Sequence, residues 1–473
     1  MIRALALALA AAALGGCTLE PAYVKPYPAT PATWPVGAAY PPAVPGAVKA
    51  PSYRDVFRDP HLQTLIAGAL ASNQDLAAAL ANVEIARARY QVTRSNLLPK
   101  FGAELAGSEA RSNPQILSPG TSTGVRQIVR AYQGDVQLSA FEVDLFGRVR
   151  SLTKVARQQY LASESGARAA RLTLVAAVAD AYLTFAADRS LLAIAIDTEA
   201  SAARSVDLTQ ARLSGGVAPR SDLRQAQTIL QQARSDRAGL VALVAQDRNA
   251  LELLLGGPAP DGDLPASLES IDGLLAEVPA GLDSRILLAR PDVAEAEYRL
   301  RAANAQIGAA RAAFFPTISL TGLAGVASPA LRSLFGGGNF TWQARGSALL
   351  PIFAGGANVG NLALAKGERD LALAQYQKAI QSAFRDVADA LARRGTIDDQ
   401  LAAQIELEAA ASDSYALIEA RYRQGVTPFL NTLDAQRTLY GARRALAGAR
   451  LLKARNRVSL YASLGDDPLL AGP

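Results

Sequence analysis

The sequence contains very little of the chemistry that catalytic and metal sites need. It has one cysteine, Cys17, and one histidine, His61. A single cysteine excludes an internal disulfide and a cysteine-based zinc site, and a single histidine excludes an HExxH metal motif. No GxxxxGK[ST] phosphate-binding loop occurs, and no pair of carboxylates converges in an evident way. The composition therefore predicts a protein that is not an enzyme and that uses no cofactor or metal.

Concentrated positive charge and long uncharged apolar runs are also missing. The formal net charge is +6, but the arginines are scattered among aspartates and glutamates without interleaved aromatic residues. This pattern argues against nucleic acid binding. After residue 16, no run reaches 18 uncharged apolar residues, so no transmembrane helix is expected.

The N-terminus has the pattern of a secreted protein. Residues 1–16 combine one positive charge, an apolar run and small residues, which predicts a signal peptide. The sequence that ends at Cys17 resembles the bacterial lipobox, whose cysteine is lipidated with chains such as palmitate; a plain signal peptide with an incidental cysteine is the alternative. By the same resemblance, Thr18 favours the outer membrane. Residues 17–58 are proline-rich, which predicts a lipid-anchored, extended segment outside the body of the protein.

The rest of the chain contains two copies of one unit. The segment that begins at Asp75 aligns with the segment that begins at Asp292, and Pro99 falls on Pro316. Gly216 likewise falls on Gly425, 209 residues later. A constant offset favours duplication over chance. The predicted divisions are repeat 1 (59–256), a linker (257–290), repeat 2 (291–465) and a tail (466–473).

Each copy is predicted to contain a helix, two strands, a long helix, a turn and a further helix. The predicted bounds in repeat 1 are Asn73–Leu97, Leu98–Ser108, Gln133–Phe146, Gly147–Leu213 and Pro219–Leu255; in repeat 2 they are Pro291–Phe315, Pro316–Val326, Asn339–Phe353, Gly356–Gln424 and Pro428–Leu464. A long helix of this kind would reach roughly 100 Å, about three times the hydrocarbon thickness of a membrane. The lengths of the long and short helices in each copy predict an antiparallel bundle. The strands lie at one end of this bundle and a Gly-Val-x-Pro turn lies at the other.

The strands alternate between apolar and polar residues. Phe101, Ala103 and Leu105 face one way, whereas Lys100 and Glu104 face the other. A membrane barrel needs this pattern, although a half-exposed soluble sheet has it too. Four strands cannot close a barrel, and an open edge in lipid would leave backbone groups unsatisfied. A membrane sheet would therefore have to be shared between chains, and three copies would supply twelve strands.

Motifs along nearly the whole mature chain resemble one family. They are Asp59-Pro60 with Leu62, DLAAALANVEIARA, FEVDLFGR at Phe141, RPDVAEAE at Arg290, FFPTISLTG at Phe314, LPIFAGG at Leu350 and RYRQGVTPFLNTLDAQR at Arg421. The chain resembles the TolC/OprM-type outer-membrane efflux proteins, in particular their lipoprotein (NodT-like) branch. The resemblance implies a mixed α+β membrane protein. It also implies a homotrimer whose twelve-stranded β-barrel crosses the Gram-negative outer membrane and continues as an α-helical barrel in the periplasm.

The same resemblance implies a function. Such a trimer is a passive exit duct of a tripartite pump for drugs or other small toxic compounds, with a periplasmic adaptor and an inner-membrane transporter as partners. Two alternatives remain at this stage. One is a type I protein-secretion duct of the same architecture, and the other is a structural, periplasm-spanning coiled-coil lipoprotein.

The resemblance also implies which residues form the periplasmic tip. The turns on which the adaptor docks match Gly215, Gly216, Val217, Gly425 and Val426. The residues that narrow the resting channel match Tyr422, Arg423, Leu430, Asp434 and Arg437 in repeat 2, and Arg212 and Asp222 lie near the same level in repeat 1. Hydrogen-bonded Arg–Asp pairs between neighbouring helices are expected to hold the tips shut.

Overall fold

The structure is a computed structural model that describes residues 18–27, 30–31, 33–41, 51–112, 127–271, 273–277 and 284–470. The predicted signal peptide and Cys17 lie outside these residues. The chain forms two compact units. Unit 1 takes in the described residues of Met1–Pro26, Glu84–Ala162 and Glu297–Gln375, and unit 2 takes in those of Tyr27–Val83, Ser163–Ala296 and Tyr376–Pro473. Each unit therefore draws on both repeats.

Eight α-helices and four strands make up most of the described chain. In order they are α1 (Tyr53–Val56), α2 (Pro60–Ser72), α3 (Gln74–Ser95), β1 (Lys100–Ser112), β2 (Gln127–Glu142), α4 (Arg148–Ser214), α5 (Arg220–Leu255), α6 (Pro291–Ala312), β3 (Thr317–Ser328), β4 (Phe340–Leu349), α7 (Ala357–Arg423) and α8 (Phe429–Leu464). Short 3-10 helices cover Asp261–Asp263, Glu269–Ile271, Ser284–Ala289 and Leu331–Ser333. Every helix and strand expected in the two copies is present, and α4 and α7 have 67 residues each. Strand β2 begins six residues earlier than expected.

Helices α1 and α2 were not expected from the sequence. Asp59 is the N-cap of α2, and its side chain accepts a hydrogen bond from the backbone N–H of His61 at 3.0 Å. Pro60 follows at the first helical position, where no backbone N–H is needed. The other carboxylate oxygen of Asp59 accepts a hydrogen bond from the buried Tyr182 hydroxyl at 2.6 Å. The Asp59-Pro60 motif therefore starts α2 and ties that start to α4.

The core of unit 2 is aliphatic and centres on α4. Val175, Val178 and Leu183 are fully buried on this helix. Among the described helices, only α4 is long and apolar enough to cross a membrane by length and composition. Half of its most apolar stretch is buried within the protein. The sequence expectation concerned apolar runs without any charged residue. The apolar stretch of α4 contains up to two charged residues, so that expectation did not cover it.

The four strands of unit 1 form one antiparallel sheet in the order β1-β2-β3-β4. Its register places most of the large apolar residues on one face: Phe101 lies opposite Leu138, Leu138 opposite Gly322, and Gly322 opposite Ala344. The other face carries the polar pairs, such as Glu104 opposite Asp135. Strands β2 and β3 approach so closely that a Cβ at Gly325 would lie 2.5 Å from that of Asp135. Within the part of the chain that is described, β1 and β4 have one neighbour each and form open edges.

The described start of the chain lies along helices in both units without regular structure of its own. In unit 1, Lys154 holds the Glu20 carboxylate at 2.8 and 2.9 Å, and Lys25 pairs with Glu297 at 2.8 Å. In unit 2, the Trp34 ring stacks on Phe384 with 5.0 Å between centroids. These contacts fix the proline-rich segment against each unit.

Candidate functional site

The two helix tips have the same backbone turn. Gly216 and Gly425 adopt φ angles of +71° and +77°, which favour glycine. The N–H of Val217 donates to the Arg212 carbonyl at 2.9 Å, and the N–H of Val426 donates to the Arg421 carbonyl at 2.9 Å. This is the Schellman pattern, in which a left-handed glycine satisfies the last carbonyls of a helix. The repeated Gly-Val sequence therefore ends α4 and α7 in the same way.

The prolines of the turns lie one step outside the helices. The sequence predicts Pro219 and Pro428 as first helical residues, but α5 and α8 begin at Arg220 and Phe429. Each proline is an N-cap in extended conformation and offers no side-chain hydrogen bond. The proline ring still restricts the turn. It disfavours helical backbone angles at the residue that precedes it.

The interior of the tip is aromatic in repeat 2. Tyr422 and Phe429 face each other across the α7–α8 turn, with ring centroids 5.4 Å apart and planes inclined by 55°. They pack with Leu433 and with Ala226 of α5 into one buried cluster. Tyr422 is only 4% exposed within one chain, so its ring lies in the interior of the tip.

Arg212 joins the two hairpins. Its Nη1 donates to the backbone carbonyl of Tyr422 at 2.9 Å, and its guanidinium carbon lies 4.8 Å from the centroid of the Tyr422 ring. A cation over an aromatic face gains about 0.5–1 kcal/mol at exposed sites and more when desolvated. Sequence comparison placed Arg212 and Tyr422 at the same level of the tip but did not predict this direct contact.

The other candidate constriction residues lie on the surface of the single chain. Leu430 is 61% exposed, and Asp434 and Arg437 are exposed as well. Arg423 pairs with Glu419 at 2.7 Å, one turn earlier on the same helix. Asp222 is half-buried and accepts a 3.4 Å hydrogen bond from the neighbouring Ser221 hydroxyl. Over the described ranges, no Arg–Asp ion pair joins these residues within one chain.

A groove between α7 and α8 contains two of the exposed residues. Its volume is 470 Å³. It is lined by Ala411, Ser414, Ile418, Leu430, Asn431, Asp434, Ala435 and Thr438. Leu430 and Asp434 therefore border open space instead of the cluster around Tyr422.

Polar contacts above the tips connect the two hairpins and were not apparent from the sequence. Tyr440 donates to the Asp236 carboxylate at 2.9 Å, and Arg443 pairs with Asp197 at 2.7 Å. Burial and then the bond to Asp236 raise the pKa of Tyr440 to about 12, so its hydroxyl stays protonated and remains a donor. No group of three or more histidine, cysteine, aspartate or glutamate side chains in the described chain could hold a metal ion.

Comparisons with known proteins agree over almost the whole chain. A sequence model of a family described as outer membrane efflux protein matches residues 65–257 and 282–466. The toluene efflux pump outer membrane protein TtgC of Pseudomonas putida is 44% identical over 463 residues, which cover 98% of this chain and 95% of that protein. A crystal structure of a membrane protein from Pseudomonas aeruginosa has a TM-score of 0.87 and 37% identity, covering 95% of this chain and all of that one. The open-state MtrE outer membrane channel of Neisseria gonorrhoeae has a TM-score of 0.83 and 36% identity, covering 95% and 98%.

The fold of paired helical hairpins with a four-stranded sheet is thus that of an outer-membrane channel protein. The chain belongs to the outer membrane efflux protein family. It resides in the outer membrane and serves as the exit duct of a tripartite efflux pump, and it is not an enzyme. These findings confirm the family, location and function expected from the sequence motifs.

Proposed function

We propose that three copies of the chain form one continuous duct. The observation that carries this proposal is the four-stranded sheet with an apolar face and two open edges. In lipid, the unpaired backbone groups of β1 and β4 need partners, and the corresponding edges of neighbouring copies supply them. Three sheets then close a twelve-stranded barrel, and the long hairpins continue it as an α-helical barrel through the periplasm.

The number of chains tests this proposal directly. The detergent-corrected mass of protein extracted from outer membranes, measured by light scattering, should correspond to three chains. A mass of one chain would leave the strand edges open in lipid and would refute the shared barrel. Single-channel recordings on the same preparation should show conduction without added nucleotide, because the duct is passive and the transporter supplies the energy.

The transported compounds are proposed to be drugs or other small toxic molecules. Relatives with 44% identity over nearly the same length are named as toluene and antibiotic efflux pump proteins. The supporting test is deletion of the gene, which should increase sensitivity to such compounds without impairing secretion of proteins. Loss of protein secretion instead would favour the type I secretion duct.

We infer that Cys17 is acylated and attaches the mature chain to the outer membrane. The lipobox-like sequence supports this, and the segment that follows is bound to helices within two residues of Thr18, where Arg311 donates to the Leu19 carbonyl at 3.1 Å. Cells fed labelled palmitate should incorporate it into the wild-type protein and not into the Cys17→Ser variant. Equal labelling of both would contradict the inference.

The tips are proposed as the closed gate and as the docking surface for the periplasmic adaptor. Val217 and Val426 are 67% and 60% exposed on the two turns, which leaves apolar side chains available to a partner. Rings of Leu430, Asp434 and Arg437 from three copies would narrow the pore, since charged rings control ion passage. Asp434→Ala should increase single-channel conductance; an unchanged conductance would place the constriction elsewhere.

A further inference from the structure

Two carboxylates lie directly opposite each other on the polar face of the four-stranded sheet. Glu104 of β1 is the register partner of Asp135 of β2. Residues in such a position have Cβ atoms about 4.5–5.5 Å apart, so their side chains are neighbours on one face. Two like charges placed in this way destabilise a sheet unless a positive charge lies between them.

Asp135 is the buried member of this pair. It is 8% exposed, and its Oδ1 is buried without a hydrogen-bond partner among the described residues. Glu104 is exposed, and its Oε2 accepts a 3.0 Å hydrogen bond from the side-chain amide of Gln137. An ionised carboxylate can only accept hydrogen bonds, and burying one without a partner is costly. Native structures contain few such groups, and each calls for an explanation.

The backbone holds Asp135 in this position from both sides. Strand β2 is an inner strand, so β1 and β3 of the same chain are its direct neighbours. On the β3 side, a Cβ at Gly325 would lie 2.3 Å from the Gly134 carbonyl oxygen and 2.5 Å from the Asp135 Cα. Glycine at position 325 therefore permits the close approach of β3, and the edge of a neighbouring copy is not adjacent to Asp135.

The basic side chains of the same face stand far along the strands. Among the described positions of this face, they are Lys100 and Arg345. Lys100 precedes Glu104 by four residues, which is about 13 Å along a strand. Arg345 is the register partner of Thr321, which precedes Gly325, the partner of Asp135, by the same distance. No basic side chain of this face therefore stands beside the carboxylate pair.

The opposite face of the same two strands provides an internal reference. There Glu109 of β1 is the register partner of Arg130 of β2, and the two side chains pair at 3.2 Å. A carboxylate of β1 thus faces an opposite charge on one side of the sheet and a like charge on the other. The positive partner that Arg130 supplies to Glu109 is what the Glu104–Asp135 pair needs.

We propose that Glu104 and Asp135 bind a hydrated divalent cation of the Ca²⁺ type, which links β1 to β2. Hard cations take oxygen ligands, and carboxylates with water are the ligands that they prefer. The scarcity of cysteine and histidine does not bear on such a site. Two carboxylates make a weak site, with a Kd of about 10⁻⁴–10⁻³ M. Both ligands belong to one chain, so only the position of the site inside the lumen rests on the proposed duct.

The test follows the strand pair itself as Ca²⁺ is added. Full-length protein is solubilised in detergent, treated with a chelator and freed of it, and hydrogen exchange of the β1 and β2 amides is measured at increasing CaCl₂. At a Ca²⁺ concentration of ten times Kd, exchange through opening of this strand pair should slow by about elevenfold. Glu104→Gln and Asp135→Asn, made singly, should each weaken the Ca²⁺ response at least tenfold, because each removes one charged ligand.

Two controls separate the site from general effects of salt and charge. NaCl at the same ionic strength should leave the exchange of the strand pair unchanged. Glu109→Gln removes a carboxylate from the other face of β1 and should keep the full Ca²⁺ response. Glu104 is exposed, so Glu104→Gln leaves the interior intact and decides the question even if Asp135→Asn fails to fold.

The outcomes separate this inference from the proposed duct. If wild-type exchange does not respond to Ca²⁺, or if Glu104→Gln responds as strongly as the wild type, the cation binds elsewhere or not at all and the inference is wrong. That result leaves a mass of three chains, and hence the duct, untouched. A mass of one chain together with a Ca²⁺ response that Glu104→Gln removes would refute the duct and support the site.

Discussion

The two helix tips share a turn and differ in what the turn encloses. Both end a 67-residue helix with a left-handed glycine and an exposed valine. The α7–α8 tip buries Tyr422 and Phe429, whereas the equivalent residues of the α4–α5 tip are Leu213, which is half-buried, and Arg220, which is exposed. Duplication thus kept the local sequence that defines the turn, while the packing inside was free to diverge. The two tips therefore differ in their interiors and not in their turns.

The same divergence extends into the bodies of the hairpins. The carboxyl groups of Asp188 of α4 and Asp247 of α5 interact, and burial together with Asp188 raises the pKa of Asp247. At the equivalent positions of repeat 2 stand Ile397, which is buried, and Asn456, which is bonded to a carbonyl. Only the first hairpin therefore carries a titrating acid pair between its two helices.

The largest difference between the tips is expected from truncating their central side chains. Tyr422→Ala removes a buried aromatic ring, its contact with Phe429 and the surface on which Arg212 lies, which should cost about 3 kcal/mol. Leu213→Ala at the matching position removes a half-buried side chain and should cost less than half as much. Chemical unfolding and tip-specific hydrogen exchange measure both. Equal costs would show that the two interiors are equivalent in energy despite their different residues.

A change of pH is expected to have a smaller effect on stability, and only in the first hairpin. Burial, followed by the neighbouring Asp188 carboxyl, raises the pKa of Asp247 to about 6 from its ordinary value of 3.8, against an opposing effect of Arg455. A raised carboxyl pKa means that the folded protein holds the proton more tightly. The stabilisation is complete below about pH 4 and is lost as pH rises through about 6. Because Asp247 is only half-buried, water screens part of the effect.

The measurement is thermal stability of the detergent-solubilised protein and hydrogen exchange of α5 between pH 4.5 and 7.5. The wild-type protein should lose stability in α5 as the pH rises, and Asp247→Asn should remove that dependence. Helix α8, with Asn456 at the matching position, is the internal control and should not respond in this way. A pH response of the same size in α8 would mean that the acid pair is not its source.

The sequence predicted the long helices because their apolar and charged residues repeat without a breaker from Arg148 to Ser214. It predicted the turns because Gly216 and Gly425 are followed by valine and proline at the same offset. These features depend on residues close together in the chain. The strands were predicted for the same reason, from their alternation of apolar and polar residues. Strand β2 extends beyond the alternating part to Gln127, because its backbone pairing with β1 continues that far.

The sequence did not predict the contacts that distinguish the two tips. Arg212 lies on Tyr422, 210 residues away in sequence, and its partner was expected to be an aspartate. Thr432 and Gln436 lie on the buried face of α8. Packing between the hairpins determines which face that is. The family resemblance named the tip residues, and their role in the constriction stays a prediction, whereas their contacts within one chain required the tertiary structure.

A more modest effect is expected from the arginines that precede the two turns. Arg212→Met removes the bond to the Tyr422 carbonyl and the contact with its ring, which should cost about 1–2 kcal/mol. Arg421, its match in repeat 2, is exposed, and Arg421→Met should cost less than about 0.5 kcal/mol. Unfolding measurements on both variants test whether the link between hairpins runs through Arg212. Equal small losses would show that the link contributes little.

The smallest difference in stability loss between the two tips is expected when their equivalent glycines are replaced. Gly216→Ala and Gly425→Ala each force an L-residue into the left-handed region, at a cost of about 1–2 kcal/mol. A Cβ at Gly216 meets open space, and one at Gly425 meets only the Arg212 Nη2 at 3.7 Å, an ordinary contact. Backbone strain is therefore the whole effect at both sites, and the two losses of stability should agree within about 0.5 kcal/mol. A difference clearly larger than this would show that backbone strain is not the whole effect and that the turn with the smaller loss relaxes in the folded protein.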